Sequence, residues 1–196
     1  MEPSTGQLAQ GLSPSGAGVG PLLQRDYWAT LPGAKLRPSQ LLAHLRAHFQ
    51  SFAPEELAAF AVHAGRPLQV GDELSIEIFA AGHCAVRVVH QDAQSLTLAT
   101  LEGHPEAGRI TFGAYRSEAG EVIFHIRSRA RSDSLLRLFG FVVAGEAMQT
   151  NTWAQFISRV AALAGAAIDG VQATLETVHE EEGDDETGPT FLARGD

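Results

Sequence analysis

The residues able to do chemistry in this chain are few and scattered. His104 stands in Gly103-His104-Pro105-Glu106, where an imidazole beside a carboxylate offers a general acid or base that titrates near neutrality. The same four residues also spell a turn, with Pro105 fixing the backbone and the imidazole placed to cap a neighbouring carbonyl. No nucleophile or orienting partner can be named beside it. His44 and His48 lie four apart, which puts both on one helix face as metal ligands require. No acid sits between them and no third ligand is apparent, so they read as a solvated helix face, and no metal is expected. Arg127, Arg129 and Arg131 alternate with Ser128 and Ala130 and project from one face of a strand. They form either an anion site or a solvated outer face with cross-strand partners such as Glu77. Cys84 shares a strand face with Val86 and Val88, which suits a small buried hydrophobe better than a nucleophile.

Glu146 and Gln149 carry the most information. Wound at helical pitch, they fall at the centre of an apolar stripe formed by Val142, Trp153 and Phe156. Polar groups there must be hydrogen-bonded or face a cavity. The competing reading is that Gly145 breaks the helix, resets its phase and returns both residues to solvent. If they face a cavity, Trp153 and Phe156 line its wall one and two turns further on, opposite strand residues such as Val86, Val88 or Phe124. The candidate ligand-binding residues are therefore Glu146, Gln149, Trp153, Phe156, Phe124 and His104. The catalytic residues stay unassigned.

These residues sit on elements the sequence marks out. Tyr27–Leu31 reads as a short strand stopped by Pro32-Gly33. Pro38-Ser39 opens a helix with Leu41, Leu42, Leu45 and Phe49 at helical spacing, and Pro54-Glu55-Glu56 opens a second short one. Five strands follow, near residues 74–79, 84–89, 96–101, 110–115 and 122–127, separated by turn residues such as Gly82, Asp92 and Gly120. Ser132-Asp133-Ser134 then caps a long helix bearing Leu135, Leu138, Val142, Trp153, Phe156, Val160 and Leu163 on one face. If continuous past Gly140 and Gly145, it runs on the order of 45 Å.

The strand, two short helices, antiparallel meander and long helix together resemble the helix-grip fold of the START-like, pollen-allergen-like superfamily. In that fold a curved sheet grips the last helix and leaves a cavity between them. A narrower resemblance lies in Thr100-Leu101-Glu102-Gly103-His104-Pro105-Glu106-Ala107-Gly108 followed by Phe112, and in Val122–Arg131. These segments are similar to signatures of the family known as domain of unknown function nineteen-ninety, small bacterial and plant proteins. The likeness covers roughly residues 72–141. The chain departs from it after Gly108, where Arg109 and Ile110 stand in place of acidic residues. The resemblance implies an α+β helix-grip fold more than any one activity.

Length and composition bound the rest. The 196 residues suit one domain, here residues 21–179, between a disordered Gly/Ser/Pro-rich leader over 1–20 and an acidic flexible tail over 180–196. The net charge of -9 is concentrated at the end of the chain, where from Val171 onward eight acids face Arg194 alone. The body is close to neutral, which gives no support to a nucleic-acid partner. No apolar run is long enough for membrane insertion, and one cysteine without a disulfide fits the cytoplasm. The leading expectation is a small, largely apolar ligand bound between sheet and long helix, without turnover and without a cofactor. An enzyme using the same cavity, with His104 or Glu146 as acid or base, is the alternative. An interaction module whose acidic tail engages a basic partner is a second one. Oligomeric state is left open.

Overall fold

The computed structural model describes residues 3–53, 58–61, 66–78, 82–133, 135–179 and 185–193, and for 58–61, 78 and 135–149 it describes the backbone only. In chain order the elements are α1 (Thr5–Ala9), β1 (Val19–Leu31), α2 (Pro38–Phe52), β2 (Ala58–Ala61), β3 (Glu73–Ile78), β4 (Gly82–Gln91), β5 (Ser95–Thr100), β6 (Glu106–Arg116), β7 (Val122–Ser132), α3 (Leu135–Ala164) and β8 (Gln172–Val178). The strands form one antiparallel sheet in the order β2-β3-β4-β5-β6-β7-β1-β8. Strands β3 to β7 are the five-stranded meander read from the sequence, each paired with the next through a short connection. β1 returns from the start of the chain to pair with β7 on one side and β8 on the other.

One face of the sheet is lined by Tyr27, Ala29, Leu31, Val86, Val88, Leu96, Leu98, Phe112, Phe124 and Ile126, all buried. Strand periodicity puts these alternate residues on a common surface, and α2 and α3 cover it. Pro38 sits at the first helical position of α2, where a missing N–H costs nothing. Leu41, Leu42, Leu45, Phe49 and Phe52 form its buried stripe. α3 runs 30 residues without interruption through Gly140 and Gly145, so the glycines do not break it. Its last turn ends at Gly165, with φ of 69°, where the Ala166 N–H reaches back to the Ala161 carbonyl at 3.0 Å. This is the α+β helix-grip arrangement, with the sheet wrapped on a long C-terminal helix.

Several details differ from the sequence reading. The second short helix does not extend over Ala58–Ala61, which is strand β2 pairing with β3. Here edge pairing overrides the helical preference of alanine. Leu163 is off the buried face of α3 at 39% exposed, while Ile157, Ala161 and Ala164 are buried. The stripe drifts because the helix repeats every 3.6 residues. Residues 4–17, expected to be disordered, dock on the sheet. Ser4 and Gln7 cap α1, and Leu8 is buried. The Arg87 guanidinium donates to the carbonyls of Leu8 and Gln10 at 2.8 and 2.5 Å. Ser13 N–H donates to the Thr100 carbonyl at 2.8 Å. These polar anchors substitute for the large apolar groups that the segment lacks. The acidic tail also differs from its expected flexibility, because residues 185–193 lie across the outer face of β6 and β7, as described below.

Candidate functional site

The inner face of the sheet changes character along the length of α3. Toward the C-terminal half of the helix the space is filled by rings. Phe156 stacks on Phe124 with centroids 6.3 Å apart and planes 15° apart, and lies 5.2 Å from Phe112 and 5.7 Å from Phe49 and Phe52. Trp153, partly buried, meets Phe112 edge-on at 5.6 Å. One row further along the sheet the inward residues become Arg25, Ser128 and Ile110, which are cross-strand neighbours. The next row holds Ala130 and Gly108. This end of the inner face therefore sets one charged group, Arg25, among side chains smaller than the aromatic rings of the other end.

Arg25 is its centre. It is 3% exposed, and its Nη1 lies 3.2 Å from Glu106 Oε1. A guanidinium this far from water requires a counter-charge, because burying an unpaired ion costs on the order of several kcal/mol. The Gly103-His104-Pro105-Glu106 turn supplies that charge. His104 Nδ1 accepts the Glu106 N–H at 3.0 Å and stays buried, which fixes the start of β6 with the Glu106 side chain on the inner face. Thr100 Oγ1 accepts the Gly108 N–H at 2.9 Å next door. Gly108 has φ of 150°, and a Cβ there would lie 2.1 Å from the Arg129 carbonyl oxygen. Only glycine fits that approach.

The outer face carries a second polar cluster. Asp26 Oδ1 accepts from His125 Nε2 at 2.5 Å and from Arg127 Nε at 2.6 Å, and Asp26 Oδ2 accepts from Gln24 Nε2 at 3.0 Å. Burial pushes the Asp26 carboxyl up, but the hydrogen bonds from His125 and Arg127 outweigh this and hold it below its ordinary value. The Tyr115 hydroxyl lies 3.3 Å from His125 Nδ1, and burial raises its pKa. Together these contacts tie β1, β6 and β7 across the outer face of the sheet.

The structure distributes the sequence candidates as follows. Phe124 and Phe156 are in contact, with Trp153 beside Phe156 at 5.8 Å. His104 is at the turn before β6, bonded to Glu106 backbone, in the capping role. Glu146 and Gln149 lie on the uninterrupted backbone of α3, seven and four positions before Trp153, and their side chains are outside the described residues. Arg127, Arg129 and Arg131 project together, but their partners come from the adjacent β1 region. Arg127 meets Asp26, Arg129 Nε donates to Gln24 Oε1 at 2.8 Å and Arg131 Nη1 to the Gly20 carbonyl at 2.5 Å. Glu77 lies on β3, next to the edge strand β2 at the far side of the sheet from β7, and is no partner of theirs. His44 and His48 are exposed, and Cys84 is half-buried against the core. Among the described residues no group of three His, Cys, Asp or Glu side chains gathers to hold a metal. Among them, too, no helix is long and apolar enough to cross a membrane. Sequence reasoning missed Arg25 and Asp26 because β1 was read from Tyr27 onward. Glu106 is visible in the sequence as the carboxylate beside His104, and nothing local marks it as the partner of Arg25.

Comparison with known proteins places this architecture. The family described as Domain of unknown function (DUF1990) matches residues 35–159. Among solved structures, the hypothetical protein jhp0584 from Helicobacter pylori is similar at 9% identity and a TM-score of 0.51, covering 71% of this chain and 86% of its own. Protein CV1439 from Chromobacterium violaceum is similar at 15% identity and a TM-score of 0.46, covering 75% and 100%. Ginseng major latex-like protein 151 from Panax ginseng is similar at 13% identity and a TM-score of 0.45, covering 74% and 99%. At 9% identity the likeness to the Helicobacter pylori protein is one of fold alone. No curated protein matches the chain.

Proposed function

The chain belongs to the DUF1990 family, and from that premise we propose that it binds a small, largely apolar molecule between the sheet and the first half of α3, without turnover. The carrying observation is the buried Arg25–Glu106 pair on the concave face, set against a lining of Phe112, Ile110 and Trp153. Sites for small molecules are mostly apolar with a few polar groups that fix orientation. Ser128, Gly108 and Ala130 leave the concave surface low where the aromatic row ends, which suits a ligand lying against α3. Glu146 and Gln149 belong to the same reading, since the continuous backbone of α3 keeps them in phase with Trp153. The lone Cys84 suits a reducing compartment such as the cytosol.

The test is a titration of the full chain with an environment-sensitive apolar fluorophore, together with native mass spectrometry of protein purified from its own host. The expected results are saturable binding weakened several-fold by Glu146→Gln or Trp153→Leu, and a retained small molecule in the mass spectrum. Absence of both saturable binding and a retained molecule overturns the reading.

A further inference from the structure

The tail lies on the outer face through two anchors. At the first, Glu186 Oε1 accepts from Ser15 N–H at 3.2 Å and from Ser15 Oγ at 2.5 Å. Its Oε2 accepts from Arg109 Nη1 at 2.9 Å, and the Arg109 side chain is 2% exposed. At the second, Phe191 stacks on the His125 ring at 4.4 Å with planes 25° apart, under the Arg127 guanidinium at 5.6 Å. Gly113 makes the seat, since a Cβ there would come within 2.7 Å of Phe191 Cζ. Between the anchors, Thr190 N–H donates to Thr111 Oγ1 at 2.9 Å.

The second seat, and Ser15 in the first, are held by groups other than the tail. His125 and Arg127 are fixed by Asp26, and Ser15 by the 3-10 turn at Ser15–Ala17. The surface thus reads a carboxylate, a backbone N–H and, five residues after the carboxylate, a ring. That is the chemistry of a short acidic-aromatic peptide, recognised by a buried arginine and an aromatic platform. The tail holds on by these few points, and Leu192 beyond the ring is 63% exposed, so a competitor that adds a contact there gains over it.

We propose that the outer face of β6 and β7 is a docking groove for a partner protein's acidic-aromatic segment, with residues 185–193 as the resident competitor in cis. This is independent of ligand binding on the inner face. It also reverses the sequence expectation that the acidic tail engages a basic partner, because here the tail neutralises the chain's own basic groove. Tethering gives the tail a local concentration on the order of millimolar, which keeps the groove filled until a better peptide arrives.

The test uses the full chain carrying Glu186→Ala and Phe191→Ala, which unseats the tail, and a fluorescein-labelled peptide of residues 180–196 read by anisotropy. The expected result is saturable binding to this variant at least about tenfold tighter than to the unmodified chain, because the cis competitor is gone. Adding Arg109→Gln or Gly113→Leu to the variant should weaken binding about tenfold or more, as one seat is lost. A matched peptide lacking Phe191 should fail to bind. Should the double variant misfold, single Phe191→Ala in the full chain is read the same way. No binding to an unseated chain that circular dichroism shows to be folded overturns the proposal. So does binding indifferent to Arg109→Gln and Gly113→Leu. A concentration-dependent dimer of the unmodified chain that dissociates on Phe191→Ala also overturns it, since the groove would then serve exchange of tails between copies.

Discussion

Replacing Glu106 by Gln keeps the side-chain shape and removes the charge that faces Arg25. Arg25 is 3% exposed, the Glu106 side chain is 16% exposed, and the two meet at 3.2 Å. Deleting one partner of a fully buried pair costs about 3–5 kcal/mol. Water reaches Glu106 in part, and a hydrogen bond to a charged group is worth about 1.5–3 kcal/mol, so the expected loss is about 2–3 kcal/mol. In a chain of this size each kcal/mol moves the melting temperature by roughly 2–4 °C, so E106Q should melt roughly 4–12 °C lower.

Stability alone would not identify the partner, so the assay is a double-mutant cycle. E106Q, R25M and the double variant are unfolded in urea at neutral pH, with equal m-values as the check that the unfolded state is unchanged. The single variants each leave a mismatched group, whereas the double variant removes both charges and recovers much of the loss, as apolar replacement of buried ion pairs often does. The coupling energy should be about 1–3 kcal/mol. A coupling below about 0.5 kcal/mol, the range expected of independent sites, would refute the pairing and remove the polar centre of the proposed inner-face site.

Other consequences can be measured on the same footing. Asp26 is held below its ordinary value by hydrogen bonds that outweigh burial, so its stabilisation is present above its unfolded pKa near ~3.9 and is lost as pH falls through the lower folded value. Asp26→Asn should be less stable than the parent at neutral pH and lose less between about pH 4 and pH 2; parallel stability curves would refute the assignment. Gly108→Ala places a Cβ 2.1 Å from a backbone oxygen at φ of 150°, which should cost at least about 3 kcal/mol in urea unfolding or abolish soluble expression. Phe156→Ala removes a fully buried ring from among Phe49, Phe52, Phe112, Phe124 and Trp153. It should cost about 3–5 kcal/mol, seen in calorimetry as a melting temperature lower by roughly 6–20 °C.

The meander and the long helix were legible because burial is one-sided there. Val122, Phe124 and Ile126 alternate with outward residues, and Trp153, Phe156 and Val160 recur at helical pitch. Where burial is not one-sided the pattern disappears. β8 is exposed on both faces, so Gln172–Val178 offers no alternation. The first half of β1 hides Gln24, Arg25 and Asp26, all buried and all polar, because each is matched by a partner far away in sequence. The tail is obscured by its acids. Composition averages over the Pro189–Ala193 run in which Thr190, Phe191 and Ala193 make the docking contacts. With Glu186, these few well-placed residues hold a strap that no average over seventeen would reveal.

The adjacent pair Arg25-Asp26 links the two faces. Strand alternation sends Arg25 inward to Glu106 and Asp26 outward to His125 and Arg127. A slip of one residue in β1 against β7 would exchange them. Asp26 would then be buried on the inner face beside the carboxylate of Glu106, and Arg25 would stand among Arg127 and Arg129. Each move replaces an attraction by a like-charge contact in a place with little water, where such contacts are expensive. The same slip would turn Tyr27, Ala29 and Leu31 out of the core. Charge and hydrophobicity therefore select one register together. That register sets the guanidinium on the inner face beside Glu106 and, through Asp26, orients the His125 ring on which Phe191 rests.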